Sequence, residues 1–325
     1  MIASIVVPVR NGEQVVARCL RSLSTQGLEE PYEIILVDDG SSDATAQMVG
    51  QFPKVRLIRQ SPAGAAAARN RGVKAARGSI VLFTDVDCAP KSDWARQLIT
   101  AIRRTNAAGA KGTYTSQQRS LVARCARDEH ETRYRQPAKR GSVDFVDTYS
   151  AAYQRSVLLE AGGFDERFTI GEDQELSFRV AERGHRLTFV PQARVEHLHA
   201  ATIWDYARKK LSIGYWKAFV LKEHPTKIAR DSHTPQPLKV QIALTGLLGL
   251  TCAGVLLTGR MAAAVLAVAA ALVISWVPFL AYAARRDRAT LMLAPLLLLV
   301  RATSLGAGLV WGMLHIWKLP TRSKP

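Results

Sequence analysis

The sequence has only four cysteines among its 325 residues. They lie far apart, at Cys19, Cys88, Cys125 and Cys252. No two of them have the spacing of a cysteine metal site or a redox pair, so no such cysteine site is predicted. Nothing indicates a disulfide framework. The stability of a soluble domain of this size must therefore come from burial of its own apolar core.

Acidic residues are almost absent from the last quarter of the chain. From residue 238 onward the only one is Asp287. Three apolar runs fill this part, at residues 238–257, 261–284 and 291–316. Each run is near or above the roughly 20 residues that cross a bilayer. We therefore expect a membrane anchor of two or three transmembrane helices at residues 238–325, after a domain at residues 1–235.

The formal net charge of +17 is shared by both parts of the chain. Such a surplus is compatible with nucleic-acid binding, but basic flanks beside membrane segments more often contact anionic lipid and follow the positive-inside rule. We predict membrane association and no nucleic acid. Residues 200–237 form a basic juxtamembrane region dotted with aromatic residues, which is typical of the membrane interface.

Alternating strands and helices are predicted over the first hundred residues. Apolar runs predict strands at residues 2–9, 33–38, 55–59 and 80–84, and helical periodicity indicates helices at 13–25, 42–52, 63–76 and 94–105. This order predicts an α/β fold with a mainly parallel sheet and right-handed crossovers. The first turn, residues 8–12, lacks the glycine-rich dinucleotide fingerprint, so a Rossmann oxidoreductase is not predicted.

Two acidic clusters follow strands of this predicted sheet. Asp38 and Asp39 end one apolar run, and Asp85 and Asp87 end another. On an extended segment, residues separated by one position point to the same face, so Asp85 and Asp87 would face one cation or one diphosphate. Repulsion between such carboxylates is commonly relieved by a hard divalent cation with oxygen ligands. The pattern predicts a site for a metal ion and a diphosphate.

Six short motifs in order resemble the family 2 glycosyltransferases of GT-A fold. They are Pro8-Val9-Arg10-Asn11, Val37-Asp38-Asp39-Gly40-Ser41-Ser42-Asp43-Ala44-Thr45, Ala68-Arg69-Asn70-Arg71-Gly72, Asp85-Val86-Asp87, Gly162-Gly163-Phe164-Asp165-Glu166 and Gly171-Glu172-Asp173. Each motif is weak alone, but the resemblance that they carry together extends over nearly all of residues 2–200. The resemblance implies a Rossmann-like mixed sheet flanked by helices, followed here by an α-helical membrane region.

The resemblance also implies roles for single residues. Asp39 matches the acid that recognises the donor base, and Pro8, Asn11, Arg69 and Asp85 match donor-binding positions. The Asp-x-Asp motif implies that Asp87, with Asp85, holds Mg²⁺ or Mn²⁺, and His197 matches a further metal or phosphate ligand. A structural role for His197 is an open alternative. Asp173 matches the general base, and Glu172 is its competitor for that role.

The implied activity is an inverting, metal-dependent transfer of one sugar from a nucleotide-diphosphate sugar. The Gln-x-x-Arg-Trp motif of processive synthases is absent after Asp173, so a polysaccharide synthase is the second choice. A glycosidase would not need the acid pair that binds diphosphate. An inactive membrane scaffold that binds a partner through its arginine-rich segment, residues 119–140, is a further alternative. That segment has few periodic apolar positions and is predicted to be either mobile or an insertion.

The expected acceptor is membrane-associated and lipid-linked, in envelope glycan or glycolipid synthesis. Residues 1–8 lack a basic leader and are too short for a signal sequence, so we expect the catalytic domain on the cytoplasmic side of the inner membrane. Residues 259–260 form the whole turn between the first two runs, which predicts a hairpin. Arg301 interrupts the third run, which is predicted to be either a third span or an interfacial or re-entrant helix.

Overall fold

The structure, a computed structural model, describes residues 2–229, 231 and 234–318, leaving aside the side chains of residues 135–140. The chain divides into two compact units. The first is built from residues 1–117 and 134–198, and the second from residues 118–133 and 199–325. The basic residues 199–235, which we assigned to the catalytic domain from the sequence, therefore group with the apolar C-terminal part.

The first unit is built around one mixed sheet. In the described part of the chain its strands are β1 (Ala3–Val9), β2 (Tyr32–Asp38), β3 (Val55–Arg59), β4 (Ile80–Phe83), β5 (Ala89–Pro90), β6 (Gly109–Thr115), β7 (Ser142–Val143), β8 (Ala151–Gln154) and β9 (Leu187–Glu196). They are ordered β3-β2-β1-β4-β8-β6-β9-β5, with β7 paired to β9. Strands β3, β2, β1 and β4 are parallel, as are β6 and β9, whereas β8, β5 and β7 run antiparallel to their partners.

Helices cover both faces of this sheet. Those of the first unit are α1 (Val16–Ser24), α2 (Thr45–Val49), α3 (Ala65–Ala75), α4 (Trp94–Thr105), α6 (Arg155–Glu160) and α7 (Glu172–Glu182). Helices α1 and α4 pack on one face through side chains at helical spacing, such as Leu20 and Leu98, while α3 packs on the other. The predicted mixed, mainly parallel sheet flanked by helices is confirmed.

Two local predictions in the first unit were wrong. The sequence of residues 143–149 indicates an added, mixed-direction strand, but β7 is limited to Ser142–Val143 and a short 3-10 helix occupies Thr148–Ser150. Strand β6 was not predicted because two glycines lower its apparent strand propensity. These glycines have a packing reason: a Cβ on Gly112 would lie 2.1 Å from Ser150 Oγ. The backbone of β6 approaches its neighbours too closely for a side chain.

The second unit is helical. It contains the first part of α5 (Leu121–Arg140), then α8 (Ile203–Glu223), α9 (Gln236–Thr258), α10 (Ala262–Arg286) and α11 (Ala294–Leu314). Within the described residues, α9, α10 and α11 are long and apolar enough to cross a membrane, which confirms the three predicted apolar runs. The arginine-rich segment is not a loop, since it forms α5, and its Arg124, Arg127 and Arg133 form ion pairs within this unit.

Candidate active site

The loops after β1 and β2 are tied together by hydrogen bonds. Asn11 has a left-handed backbone, with φ of 52°, and its Oδ1 accepts a hydrogen bond of 2.9 Å from Ser42 N. In return Asn11 N donates to Ser41 Oγ at 2.9 Å. Because β1 and β2 are parallel neighbours, both loops lie at the same edge of the sheet. Pro8 is buried within β1, opposite Val37 in β2.

Asp39 follows β2 and is buried, with an exposed fraction of 4%. Its Oδ1 accepts hydrogen bonds from Gln60 Nε2 at 2.7 Å and Ala63 N at 2.8 Å, and its Oδ2 accepts one from Gly64 N at 2.9 Å. The carboxylate therefore holds the turn before α3 in place. Recognition of the donor base by Asp39 stays a prediction, and it would require a lone pair of these same oxygens.

Arg69 lies on α3 and bridges two acids from distant parts of the chain. Its Nη2 donates to Asp85 Oδ1 at 2.8 Å, and its Nη1 donates to Glu172 Oε1 at 2.5 Å. The guanidinium is almost fully buried, with 5% of its side chain exposed. Arg69 is thus engaged by carboxylates, and its role as a donor-binding residue stays a prediction. Its geometry fixes the loop after β4 relative to the start of α7.

The next residue, Asn70, joins two of the motifs recognised in the sequence. Its side chain donates to Phe164 O at 2.9 Å and accepts a hydrogen bond from Phe164 N at 2.8 Å. Gly163, whose φ is 73°, lies so close that a Cβ there would be 2.4 Å from Asn70 Oδ1. Only glycine fits this position, both for backbone conformation and for space. The motif that contains Gly163 and Phe164 therefore supports the site through Asn70, the neighbour of Arg69.

Asp87 faces His197, which lies just after β9. The distance between Asp87 Oδ2 and His197 Nε2 is 3.6 Å. With Cys88 Sγ, these ligand atoms lie within 4.8 Å of one another. Burial and the carboxylates of Asp85 and Asp87 raise the pKa of the Cys88 thiol well above its usual range. A sulfur donor is a soft ligand, which hard cations such as Mg²⁺ do not prefer. A carboxylate is a ligand that suits Mn²⁺ and Mg²⁺, whereas an imidazole is more typical of transition metals, so this pair suits Mn²⁺ better than Mg²⁺.

Asp85 is placed differently from Asp87, although both belong to the same predicted metal pair. One of its oxygens already accepts the hydrogen bond from Arg69. The side chain is only one-third exposed, at 34%, compared with 41% for Asp87. The structure therefore brings Asp87 and His197 together as candidate metal ligands, while Asp85 interacts with the guanidinium of Arg69.

Glu172 and Asp173 open α7 but have unlike surroundings. Glu172 is paired to Arg69, whereas Asp173 accepts only backbone hydrogen bonds among the described residues, from Gln174 N at 2.8 Å and Thr148 N at 3.4 Å. Burial, followed by the negative charges of Glu172 and Asp147, raises the pKa of Asp173 well above its usual range. Asp173 is therefore the carboxylate better suited to accept a proton.

Sequence reasoning missed Asp147, which lies between β7 and β8. It forms an ion pair with the buried Lys111 of β6 and accepts a hydrogen bond of 3.1 Å from Tyr149 OH. Tyr149 OH in turn lies 2.8 Å from Tyr134 OH. The available signal was a pair of acids, Asp144 and Asp147, inside a segment predicted as a strand. Its relation to Asp173 arises from the pairing of β6 with β8, which the sequence did not reveal.

This arrangement is typical of nucleotide-sugar-binding enzymes with a GT-A-like fold: interlocked loops at the carboxyl ends of β1 and β2, an acid pair after β4 and a second acid pair at a helix start. Residues 4–162 match the glycosyl transferase family 2 profile. The chain therefore carries a family 2 glycosyltransferase domain over residues 4–162, as the motif order indicated.

Characterised relatives agree with this assignment. The chain is 29% identical over 235 residues to the pre-mycofactocin glycosyltransferase of Mycobacterium tuberculosis H37Rv, which covers 70% of this chain and 49% of that protein. It is 26% identical over 194 residues to glycosyltransferase AglE of Haloferax volcanii, covering 57% of this chain and 63% of the relative. The chain thus spans about half the length of the mycobacterial relative.

Solved structures show the same fold. The mannosyltransferase PcManGT from Pyrobaculum calidifontis, in complex with GDP-Man and Mn²⁺, superposes with a TM-score of 0.61 at 20% identity, over 93% of this chain and 86% of that one. TarS of S. aureus, residues 1–349 in complex with UDP, gives a TM-score of 0.50 at 17% identity, over 99% and 93% of the two chains. At these identities the likeness establishes the fold alone.

Proposed function

We propose that the chain transfers one sugar from a nucleotide-diphosphate sugar to a lipid-linked acceptor, with inversion at the anomeric carbon. The observation that carries this proposal is the contrast between two adjacent acids. Glu172 is locked to Arg69, while Asp173 contacts no cation in the described structure and has a raised pKa. A general base works best when its pKa is moved toward the working pH. Asp173 is therefore assigned as the base and Glu172 as a positioning residue.

The reaction follows from this assignment. The acceptor hydroxyl loses its proton to the Asp173 carboxylate as its oxygen attacks the anomeric carbon, and the bond from that carbon to the donor phosphate breaks. The nucleoside diphosphate leaves with the electron pair, and no covalent intermediate is needed. Asp87 and His197 would hold a divalent cation, Mg²⁺ or Mn²⁺, supported by the outer oxygen of Asp85. When bound, that cation neutralises the departing diphosphate.

A single transfer is favoured over polymer synthesis. The stretch after Asp173 that would carry the processive motif instead reads Tyr206-Ala207-Arg208-Lys209-Lys210-Leu211, within α8. The second unit also offers few apolar helices for a polymer channel, with three of spanning length among the described residues. We place the catalytic unit on the cytoplasmic side of the cell membrane, because basic residues flank the apolar helices. The acceptor then belongs to envelope glycan or glycolipid synthesis.

The test is transfer by full-length protein in native membranes, with Mn²⁺ or Mg²⁺ and a panel of nucleotide sugars. Asp173→Asn should lower turnover by roughly 10²- to 10⁴-fold while donor nucleotide still binds. Asp87→Ala should abolish metal-dependent nucleotide binding. Glu160→Gln, an exposed acid at the end of α6, is the matched control and should behave as wild type.

The outcomes separate the alternatives. Wild-type turnover in Asp173→Asn would remove Asp173 from the base role. A chain that neither turns over any donor nor binds nucleotide with metal would be an inactive scaffold. A product that grows by many sugars would indicate a processive synthase. Label confined to the lipid fraction would identify the acceptor class.

A further inference from the structure

A buried charge cluster lies in the second unit, separate from the catalytic residues. Its centre is Glu129 on α5, which is 3% exposed. Glu129 Oε1 accepts a hydrogen bond of 2.9 Å from Lys210 Nζ on α8 and lies 3.6 Å from Arg301 Nη1 on α11. Arg133, one turn along α5, pairs with the same oxygen, and Tyr206 OH donates to Oε2 at 2.7 Å. We call these five residues the Glu129 cluster.

Cations outnumber acids in this cluster. Lys210 and Arg301 share the single carboxylate of Glu129, which also pairs with Arg133. The other ion pairs along α5 are balanced by comparison. They join Arg124 and Arg127 to Asp128 and Asp287, and Arg286 to Glu131.

Arg301 supplies a second, independent observation. Its Nη2 donates to Gln241 Oε1 on α9 at 2.5 Å, but its Nε is buried and has no hydrogen-bond partner in the described structure. The residue is 7% exposed and interrupts an otherwise apolar helix. An unsatisfied guanidinium donor at such a position is costly. The arrangement is one that an anionic ligand would complete.

Two basic groups in or beside the cluster, Lys210 and His130, have lowered pKa values. Burial lowers the pKa of Lys210 to about 8, and the positive charges of Arg133 and Arg301 add to this against the opposing effect of Glu129. Burial and the charge of Arg133 likewise hold the pKa of His130 well below its usual range. In both groups desolvation is the main cause of the lowered pKa, the charge of Arg133 adds to it, and Glu129 opposes it.

We propose that the Glu129 cluster binds the phosphate group of the lipid-linked acceptor, and this inference rests on the function proposed above. A phosphate monoester carries about two negative charges at neutral pH, which matches the excess of cations. Arginine presents a planar fork that binds phosphate oxygens in pairs, and the unpartnered Nε belongs to that fork. A lipid is favoured over a soluble phosphate because Arg301 lies within an apolar helix of spanning length. The shared chemistry is a phosphate monoester, and the hydroxyl that attacks the donor belongs to another part of the acceptor.

The experiment measures thermal stabilisation of full-length protein in detergent by a short isoprenyl phosphate, beside the matching isoprenyl alcohol, phosphatidic acid and inorganic phosphate. Chelator is present throughout, and Asp87→Ala is measured in parallel, so that phosphate bound at the catalytic metal site does not contribute. The wild type should be stabilised by the isoprenyl phosphate and not by the alcohol. Arg301→Gln should weaken that binding by ~10-fold or more, since it removes a charged hydrogen-bond donor.

Two further variants distinguish a ligand site from a purely structural ion cluster. Glu129→Gln removes the competing carboxylate, so it should strengthen phosphate binding, although it breaks the pairs with Lys210 and Arg133. Arg208→Gln removes an exposed cation on the same α8 helix and should change nothing. If Glu129→Gln or Arg301→Gln does not fold, the comparison of phosphate with alcohol on the wild type still decides.

The possible results each have a meaning. Equal stabilisation by phosphate and alcohol, or unchanged affinity in Arg301→Gln, overturns the proposal. Equal stabilisation by phosphatidic acid would assign the cluster to bulk lipid, and by inorganic phosphate to a soluble anion, and either overturns the acceptor assignment. Donor hydrolysis measured on the same samples separates this from failure of the catalytic proposal: hydrolysis without phosphate binding leaves the catalytic function standing.

Discussion

Glu172 and Asp173 are adjacent acids whose roles the sequence could not separate. The structure separates them through one neighbour, Arg69, which pairs with Glu172 and leaves Asp173 surrounded by backbone amides and negative charge. Motif matching predicted these positions as a group, because their order along the chain is characteristic. It could not assign Arg69 to the acids rather than to a phosphate, since that contact joins α3 to α7 across 103 residues.

The pH dependence of turnover provides a test at the level of single residues. Protonation of Asp173 removes the base, so kcat/KM should fall as the pH decreases through its raised pKa. Burial is the main cause of that raised pKa, and the charges of Glu172 and Asp147 contribute further. Asp147→Asn removes one of these charges, which favours ionisation of Asp173. The acidic limb of the profile should therefore move to lower pH.

The control for this prediction is Glu160→Gln, which is remote from Asp173 in sequence and exposed. Its profile should overlay that of the wild type. An acidic limb that stays in place in Asp147→Asn, in protein whose circular dichroism is native, would show that Asp147 does not influence the base. A limb displaced toward higher pH would contradict the electrostatic argument, since loss of a negative neighbour can only favour the ionised carboxylate.

At the level of whole elements, the sequence predicted helices and strands correctly where one face is buried by residues that are close in the chain. Strand β3 and helix α4 were predicted with their observed limits, because their apolar spacing is a local signal. Helix α5 was missed for a physical reason. Its charged side chains are satisfied by partners far along the chain, such as Arg124 with Asp287. The local sequence shows only an excess of charge, which predicts a mobile segment.

Helices α8 and α11 pack closely through glycine. Gly308 of α11 lies against the backbone of Leu211, and Gly312 against that of Tyr215, four residues further along both helices. Lys222 at the end of α8 then donates to Ile316 O, just after α11, at 3.0 Å. The contacts advance together along both chains, so α8 and α11 run parallel. Small residues permit this close approach of two helix backbones.

Gly308→Ala should therefore destabilise the second unit. The added Cβ would lie 2.1 Å from Leu211 O, a backbone atom that cannot move without separating the helices. Overpacking of this kind costs about 1–3 kcal/mol, so the thermal midpoint in detergent should fall measurably. Gly246→Ala on α9, where nothing lies within 4 Å of the added Cβ, is the matched control. Equal midpoints for the two variants would show that α8 and α11 are not packed in this way.

At the scale of the membrane unit, the parallel pairing of α8 with α11 bears on how many helices cross the bilayer. Helix α8 carries exposed Arg208, Lys209 and Lys222, which are incompatible with a lipid-facing span. If α11 crossed the bilayer, α8 would be carried in beside it. Helix α9 contacts α10 and, through Gln241, also α11, yet only 6% and 11% of the apolar windows of α9 and α10 are buried, against 39% for α11.

We therefore expect α9 and α10 to cross as a hairpin and α11 to remain with α8 at the cytoplasmic interface. Cys252 is the only exposed cysteine in the described residues, so Cys252→Ser gives a quiet background for single-cysteine labelling. In that background a membrane-impermeant maleimide should label Gly259→Cys, at the hairpin turn, from the outside of intact cells. It should reach Trp317→Cys, just beyond α11, and Glu160→Cys, in the first unit, only in inverted vesicles. Labelling of Trp317→Cys from the same side as Gly259→Cys would instead establish a third span.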